Sequence, residues 1–320
     1  MTSLHTTYPS HPLQAAVVLG AAGFIGRHVC RSLNRKGHIV RGLGHGDWSP
    51  EEWSGWGLQS FLRADVGFDS LQELCNGVQP VVFINCAGGA AVARSYSDPL
   101  ADFNSSVGTT ATLLEFVRRR GAGNGRVVVA SSAAVYGDHG NSDLYEDTSR
   151  SPISPYGIHK VMSESLCEEY SRFFGVACSV VRLFSVYGEG LRKQLLWDAL
   201  NKFDKGEYHF FGTGAELRDW IHVDDAAELL IEAALARQPD FAVYNGGHIK
   251  ATTQTVLCEL AIQSGTDIVP IFSGVTHTGN PQRLTANCSR AMQLLAWDPQ
   301  VDLHAGLARY IKWFREETVP

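Results

Sequence analysis

A regular alternation of short apolar runs and longer amphipathic segments constrains the fold more than any other feature of this sequence. The apolar runs are rich in Val and Ile, as are strands that are buried on both faces of a sheet. Segments with helical periodicity lie between them, and several end at a glycine. A chain that repeats strand and helix in this way builds a doubly wound, parallel α/β sheet. The predicted strands cover residues 15–20, 38–44, 60–66, 81–88, 126–137 and 176–188.

Three glycines mark the turn between the first predicted strand and the first predicted helix. Gly20, Gly23 and Gly26 stand where a tight turn, a close approach of a ligand to the backbone and close helix packing each exclude a Cβ. The N-terminus of the following helix binds phosphates. The spacing GxxGxxG differs from the usual GxGxxG, and a strand-turn-helix corner without a ligand is the alternative interpretation. The position at the first strand-to-helix turn favours a dinucleotide site of the Rossmann type.

The alternation breaks at about residue 189, where the sequence becomes less regular and rich in aromatic residues. A later helix and a later strand are expected to return to the main sheet. The predicted division is a disordered tail (1–14), a dinucleotide-binding domain (15–188 plus 223–248) and a smaller C-terminal substrate-binding lobe (189–222 plus 249–320).

A second motif, Tyr156-Gly157-Ile158-His159-Lys160, places a phenol and an ammonium four residues apart at the start of a predicted helix. Residues at this spacing lie on one helix face. A nearby ammonium favours the phenolate form of a tyrosine, which can then act as acid or base. Because YxxxK also occurs by chance, the interpretation depends on Ser131 and Ser132 upstream, whose hydroxyls stand at the end of a predicted strand and can bind a carbonyl or alkoxide.

These features, in this order, resemble the extended short-chain dehydrogenase/reductase family, in particular its nucleotide-sugar epimerases, dehydratases and 4-ketoreductases. The resemblance covers nearly the whole chain, and the combination is far more specific than any single motif. Besides GxxGFIG and YxxxK it rests on SSAAVYG (131–137), SPYG (154–157), RLFSVYG (182–188), RDWIHVDD (218–225) and a closing segment at 297–314.

The resemblance implies roles for individual residues. Ser132 is the expected catalytic serine, Tyr156 the acid/base, and Lys160 the residue that holds the nicotinamide ribose. The other expected cofactor contacts are Gly20, Gly23, Phe24, Ile25, Gly26, Arg27, Asp65, Val66, Cys86, Ala87, Gly88, Asn104 and Ser131. The expected substrate contacts are Ser132, Ser185, Leu195, Phe210, Phe211, Arg218 and Arg283, the last in place of an arginine missing from the segment 277–280.

Ala133 and Ala134 limit which of the family's reactions this chain can catalyse. The family's 4,6-dehydratases carry Asp and Glu at these two positions, where they eliminate water. A methyl side chain moves no proton, so the sequence argues against a dehydratase. Hydride chemistry at one carbon, C4, is left, either as net reduction of a 4-keto sugar or as epimerisation.

The residue at the end of the second predicted strand helps to distinguish NAD from NADP as the cofactor. NAD-dependent relatives place an acidic residue there for the adenosine ribose, whereas this chain has Gly44. Arg27, Arg41 and His45 are candidates for binding a 2′-phosphate, although surface arginines are an equally good interpretation. The sequence therefore favours NADP(H), with NAD(H) as the alternative. With NADP(H) it favours a 4-ketoreductase of a nucleotide-linked 4-keto-6-deoxy sugar over an NAD-dependent 4-epimerase.

Other classes of function fit the sequence less well. A net charge of −6 gives no basic surface for nucleic acid, and no apolar run is long enough to span a membrane. A regulator that only senses NAD(P) need not retain Ser132, Tyr156 and Lys160 together. The seven cysteines form no CxxC pair and predict neither disulfides nor a metal site. We expect a cytoplasmic enzyme that binds a nucleotide-diphosphate sugar, and by resemblance a homodimer formed through the helices near 99–120 and 156–174.

Overall fold

The computed structural model describes residues 14–89, 92–121, 125–237, 239–267, 269–276 and 281–318. The predicted disordered tail falls almost wholly on residues 1–13, and the segment 277–280 was singled out for its missing arginine. Both lie outside the described residues. No helix in the described ranges combines the length and the apolar character that crossing a membrane requires.

Seven parallel strands form the main sheet, in the spatial order β3-β2-β1-β4-β5-β6-β10. This order confirms the predicted doubly wound α/β fold of the Rossmann type. The order reverses between β1 and β4, and ligands of such sheets bind outside the carboxyl ends of the strands at this point. The strands are β1 (Ala15–Leu19), β2 (Ile39–Gly44), β3 (Ser60–Arg63), β4 (Pro80–Asn85), β5 (Arg126–Ser132), β6 (Cys178–Leu183) and β10 (Phe241–Gly246).

A smaller sheet of four strands contains β7 (Ser185–Tyr187), β9 (Leu217–His222), β11 (Ile249–Thr252) and β13 (Arg283–Leu284). In it, β9 pairs in parallel with β7 and β13 and antiparallel with β11. A two-stranded parallel sheet joins β8 (His209–Phe210) to β12 (Ile271–Phe272). The limits of the two domains inferred from the sequence stay a prediction.

Twelve α-helices lie in the described part of the chain. Helices α1 and α9 cover one face of the main sheet, and α3, α6 and α7 cover the other. A π-helical turn joins α5 to α6, and a 3-10 turn follows β5. The helices are α1 (Phe24–Arg35), α2 (Pro50–Gly55), α3 (Phe68–Cys75), α4 (Val92–Ser97), α5 (Pro99–Phe103), α6 (Thr109–Arg119), α7 (Pro155–Phe174), α8 (Gln194–Phe203), α9 (Val223–Leu235), α10 (Thr253–Gln263), α11 (Ser289–Leu295) and α12 (Leu303–Thr318); the turns are Asn104–Gly108 and Ala133–Val135.

Two long apolar runs are divided in the structure where one strand was predicted. The run 126–137 ends as a strand at Ser132, because the Ser132 side chain accepts a hydrogen bond from Ala134 N and begins the 3-10 turn. The run 176–188 becomes two strands. Phe184 N still donates to Gly246 O in the main sheet, and the chain then leaves that sheet and pairs with β9 of the smaller sheet. Both breaks occur at the carboxyl edge of the sheet. The serines that end or follow these strands, Ser132 and Ser185, are therefore brought to that edge.

Candidate active site

The glycine turn after β1 fits closely against the end of β4. Gly20 has a φ of +72°, and a Cβ there would lie 2.7 Å from Ala87 N. A Cβ on Gly26 would lie 2.1 Å from Gly20 O, so α1 can approach the turn only with a glycine at this position. The N-cap of α1 is Gly23, and the first turn carries no acidic residue. The N–H groups at this helix end are therefore suited to bind an anion such as a pyrophosphate.

A cavity of about 450 Å³ opens at the carboxyl edge of the main sheet. It extends from the start of α1, past the ends of β4, β5 and β6, to the smaller sheet. The predicted site residues on its wall are Gly23, Phe24, Ile25, Gly26, Cys86, Ala87, Gly88, Ser131, Ser132, Tyr156, Lys160, Ser185 and Arg218.

Helix α7 begins at the cavity because its first turn has strong start signals. Ser154 is the N-cap and accepts a hydrogen bond of 3.1 Å from Gly157 N, and Pro155 occupies the first helical position. Tyr156 N donates to Ser95 Oγ at 3.0 Å, which ties the helix to α4. Lys160 Nζ lies 5.6 Å from the centre of the Tyr156 ring. The phenol and the ammonium of the YxxxK motif are thus neighbours on the cavity wall.

The two serines at the end of β5 have different surroundings. Ser132 Oγ accepts a hydrogen bond of 3.2 Å from Ala134 N, and the residue borders the cavity. Because a backbone N–H occupies one lone pair of this oxygen, the hydroxyl proton can be donated to a substrate. Ser131 Oγ instead donates to Glu164 Oε1 at 2.6 Å, although the residue also borders the cavity. Its predicted contact with the cofactor stays a prediction.

A buried ion pair that the sequence analysis missed lies behind these serines. Arg182 on β6 donates to both carboxylate oxygens of Glu164, at 3.0 and 2.7 Å, and both side chains are almost fully buried. Arg182 also donates to Tyr136 Oη at 2.9 Å. Burial raises the pKa of Tyr136 to about 12, which keeps this phenol protonated at neutral pH. Glu164 and Arg182 are 18 residues apart in the chain and lie on different elements, so no local sequence pattern predicted the pair.

A second buried pair lies next to the YxxxK motif. His159 Nδ1 is 2.6 Å from Asp102 Oδ2, and His159 packs edge-on against Phe103. A Cβ on Gly89 would lie only 2.0 Å from Asp102 Oδ1, so the segment after β4 passes directly over this carboxylate. The pair therefore connects α7, α5 and the cavity wall.

A second cavity, of about 390 Å³, adjoins the first and shares Ser185, Gln194 and Arg218 with it. Leu195 and Phe211 border this second cavity. Burial lowers the pKa of Arg218, and an anion at the junction of the cavities would offset that cost. Gln194 has a φ of +68°, which is uncommon for a residue other than glycine. Such strain is often retained at binding sites, but no sequence pattern revealed it.

Two of the predicted substrate residues have partners away from both cavities. Phe210 is buried in a cluster beside Phe203 and Phe272. Arg283 forms an ion pair of 2.7 Å with Asp143. Their assignment as substrate contacts stays a prediction.

Several predicted cofactor residues also lie beyond the cavity walls in the described part of the chain. Asp65 forms an ion pair of 3.1 Å with His45, Val66 packs against an apolar cluster beneath the sheet, and Asn104 opens the π-helical turn. The Arg27 guanidinium carbon lies 5.3 Å from the ring centre of Trp48 and 5.3 Å from that of Trp56. Its Nη2 donates to Ala22 O at 2.8 Å, and burial lowers its pKa.

His222 and Asp224 serve as structural groups between the two sheets. His222 is the N-cap of α9 and accepts from Asp224 N, while its Nε2 is 2.9 Å from Glu189 Oε2. Arg309 on α12 donates to both Glu189 and Asp224. Burial acts to raise the pKa of Glu189, but hydrogen bonds from His222 and Arg309 outweigh it and bring the pKa to about 2. In the ranges that the structure describes, no cluster of three His, Cys, Asp or Glu side chains could hold a metal ion.

Known proteins are similar to this chain over almost its whole length. A model of the NAD dependent epimerase/dehydratase family matches residues 16–247. An uncharacterized UDP-glucose epimerase of Bacillus subtilis is 30% identical over 93% of this chain and 96% of its own length. A UDP-glucuronate 4-epimerase of Thermodesulfobacterium geofontis is 27% identical over 94% of this chain and 96% of its own. The crystal structure of a UDP-glucuronic acid 4-epimerase from Bacillus cereus, in complex with UDP-glucuronic acid and NAD, superposes with a TM-score of 0.83 at 25% identity, over 95% of this chain and 100% of that one.

Proposed function

The chain belongs to the NAD dependent epimerase/dehydratase family, and we propose that it is an NAD-dependent 4-epimerase of a UDP-linked sugar. The observation that carries the proposal is one cavity bordered by Ser132, Tyr156 and Lys160 together with the start of α1. Relatives of this fold and length are named as 4-epimerases of UDP-sugars. They support the epimerase alternative of the sequence analysis better than the ketoreductase that it favoured.

The preference for NADP(H) rested on the missing acid at Gly44 and on three candidate cations, of which Arg27 and Arg41 have other partners in the structure. Arg27 contacts the rings of two tryptophans and donates to Ala22 O. Arg41 donates to the carbonyl oxygens of Leu74 and Asn76 at 3.0 and 2.7 Å. These contacts weaken the case for a 2′-phosphate, and the structures of relatives in complex with a named cofactor contain NAD. NAD is therefore the proposed cofactor.

The residues around the cavity fit a dinucleotide. A Cβ at Gly20 or Gly26 would close the turn against which a pyrophosphate packs. The N–H groups at the start of α1 would bind that pyrophosphate, and Lys160 would bind the nicotinamide ribose. When bound, the nicotinamide supplies a reversible acceptor for hydride.

The side chains of the chain supply the proton chemistry. Tyr156 takes the proton of the C4 hydroxyl as the sugar is oxidised and returns it on reduction. Lys160 Nζ lies 5.6 Å from the centre of the Tyr156 ring, so a positive charge stands beside the phenol. Ser132 donates its hydroxyl proton to the sugar oxygen and so fixes that oxygen next to the phenol. Ala133 and Ala134 border the same cavity but move no proton, so elimination of water is not part of the reaction.

Arg218 and the second cavity would hold the nucleotide half of the substrate. The half-buried Arg218 guanidinium at the junction of the cavities suits a diphosphate, and Ser185 borders both cavities with it. Leu195 and Phe211 would contact the base. This arrangement places the sugar toward Tyr156 in the first cavity.

We also propose a homodimer. Apolar side chains remain exposed along α5 and α7, among them Phe103, Met162 and Phe173. An exposed apolar patch of this kind is typical of a surface that associates with another protein. A second copy of the chain, placed by a twofold axis, would cover both patches at once.

The direct test combines cofactor identification with turnover. Freshly purified protein is denatured and the released dinucleotide is identified, and intact protein is incubated with UDP-galactose and separately with UDP-galacturonate. We expect released NAD or NADH, and an anomeric NMR signal of the C4 epimer from at least one substrate without added cofactor. Failure to form either epimer, together with consumption of NADPH by a 4-keto-6-deoxy sugar nucleotide, would instead establish the ketoreductase.

A further inference from the structure

The loop after β2 approaches the glycine turn of the proposed NAD site. A Cβ on Gly46 would lie 2.6 Å from the Cβ of Ala22, and one on Gly44 would lie 3.7 Å from the backbone nitrogens of Ala21 and Ala22. The loop after β2 and the glycine turn are therefore in close contact, with little room for side chains between them. A dinucleotide whose pyrophosphate lies at the turn extends its adenosine over this edge of the sheet.

A carboxylate occurs in this loop, three residues beyond the position where Gly44 replaces the family's acid. Asp47 forms an ion pair with Arg63, the last residue of β3. Gly44 and Arg63 face each other in the register of β2 and β3, so the pair spans the carboxyl ends of two neighbouring strands. The Asp47 side chain is 86% exposed and that of Arg63 is 63% exposed, so a ligand can reach both.

We propose that Asp47, held by Arg63, is the carboxylate that accepts a hydrogen bond from the adenosine ribose of NAD and excludes NADP. This assignment rests on the proposed function and identifies the residue that selects the cofactor. A ribose hydroxyl donates to a carboxylate, whereas a 2′-phosphate brings like charge against it. Arg63 orients the carboxylate and is itself occupied by it, so the guanidinium is not offered to a phosphate.

The same pair explains how the chain retains selectivity without an acid at residue 44. A side chain at residue 44 would begin with its Cβ 3.7 Å from the backbone nitrogens of Ala21 and Ala22. Asp47 instead reaches the edge of the sheet from the loop and is positioned from β3. The position of the Asp47 carboxylate therefore depends on β2, which leads into its loop, and on β3, which carries Arg63.

Four forms of the protein test the assignment: the unaltered chain, Asp47→Asn, Arg63→Ala and the double variant. Each is first freed of any dinucleotide that copurifies and is then equilibrated with equal concentrations of NADH and NADPH. The bound dinucleotides are released and quantified, and dissociation constants are measured by calorimetry. Asp47→Asn should weaken NADH binding by about tenfold and strengthen NADPH binding by about tenfold, since one charge-assisted hydrogen bond is lost and Arg63 is released. The double variant should lose the gain in NADPH binding.

Asp267→Asn is the matched control, because it makes the same change of charge at an exposed aspartate that follows α10 and borders neither cavity. It should leave both dissociation constants unchanged. An NADH to NADPH ratio that Asp47→Asn does not alter would overturn the assignment while leaving the proposed epimerase intact. Binding of neither dinucleotide by the unaltered protein would contradict the proposed function itself, and the assignment with it.

Discussion

Lys160 Nζ donates a hydrogen bond of 3.0 Å to the carbonyl oxygen of Ala130, two residues before Ser132. This bond fastens α7 to the end of β5, so the ammonium and the serine hydroxyl belong to one rigid unit. Tyr156 lies one helical turn before Lys160 on the same cavity. The three side chains assigned to the proposed proton transfer therefore lie at the junction of one helix and one strand.

Replacement of Tyr156 by Phe should lower kcat by at least a hundredfold, a typical contribution of a positioned acid or base. The aromatic ring and the α7 backbone remain, so the dissociation constants for NADH and UDP should change little. Turnover is measured by NMR and binding by calorimetry. Tyr145→Phe is the control, because Tyr145 is an exposed tyrosine outside both cavity walls. Undiminished turnover in Tyr156→Phe would refute the role assigned to the phenol.

The buried pair of Glu164 and Arg182 predicts a large loss of stability when either partner is removed. Glu164→Gln leaves a buried guanidinium without its counter-charge, which typically costs about 3–5 kcal/mol of unfolding free energy. Glu316→Gln breaks an exposed pair with Lys312 and should cost less than about 1 kcal/mol. Urea unfolding measures both, and equal losses in the two variants would refute the importance of burial.

The lowered pKa of Glu189 predicts how the free energy of unfolding changes at acidic pH. Its pKa is lowered to about 2 in the folded chain, from the usual glutamate value of about 4.3. The stabilisation is therefore present above about pH 4.3 and is lost as the pH falls toward about 2. Glu189→Gln should reduce the unfolding free energy by about 1–3 kcal/mol at pH 7 and make its decline between about pH 4.3 and 2 less steep.

Urea titrations at several pH values measure this effect. The curves of the two proteins should converge at the acid end. Parallel curves over that range would show that the ion pairs of Glu189 with His222 and Arg309 contribute nothing to stability.

The sequence predicts those parts of the site that are local in the chain. Gly20 to Gly26 form one turn, and Tyr156 to Lys160 form one helical turn, so their spacing determines their geometry. The pair of Asp102 and His159 was not predictable, because its members are 57 residues apart and meet only when α5 packs on α7. Asp47 and Arg63 meet through the register of β2 and β3, which no pattern in either strand reveals. The preference for NADP(H) is not supported, and the contacts of Arg27 with Trp48 and Trp56 and of Arg41 with Leu74 and Asn76 join segments that the sequence pattern does not connect.

The exposed apolar side chains on α7 predict the oligomeric state. Met162 is 43% exposed and Phe173 66% exposed, and both should be buried between two copies of the chain. The unaltered protein should have the mass of a dimer by light scattering. Met162→Lys combined with Phe173→Lys should give a monomer, because a twofold interface would bring each new charge close to its equivalent or into an apolar contact.

Leu294→Lys on α11 is the matched control for the dimer prediction, since this leucine is 63% exposed on another face of the chain. It should leave the mass unchanged. The cofactor content of the α7 variants is measured in parallel. Because these variants retain Tyr156 and Lys160, a bound cofactor would show that they are still folded. An unaltered protein that remains a monomer at all concentrations would contradict the dimer without affecting the proposed reaction, since the residues assigned to the reaction all belong to one chain.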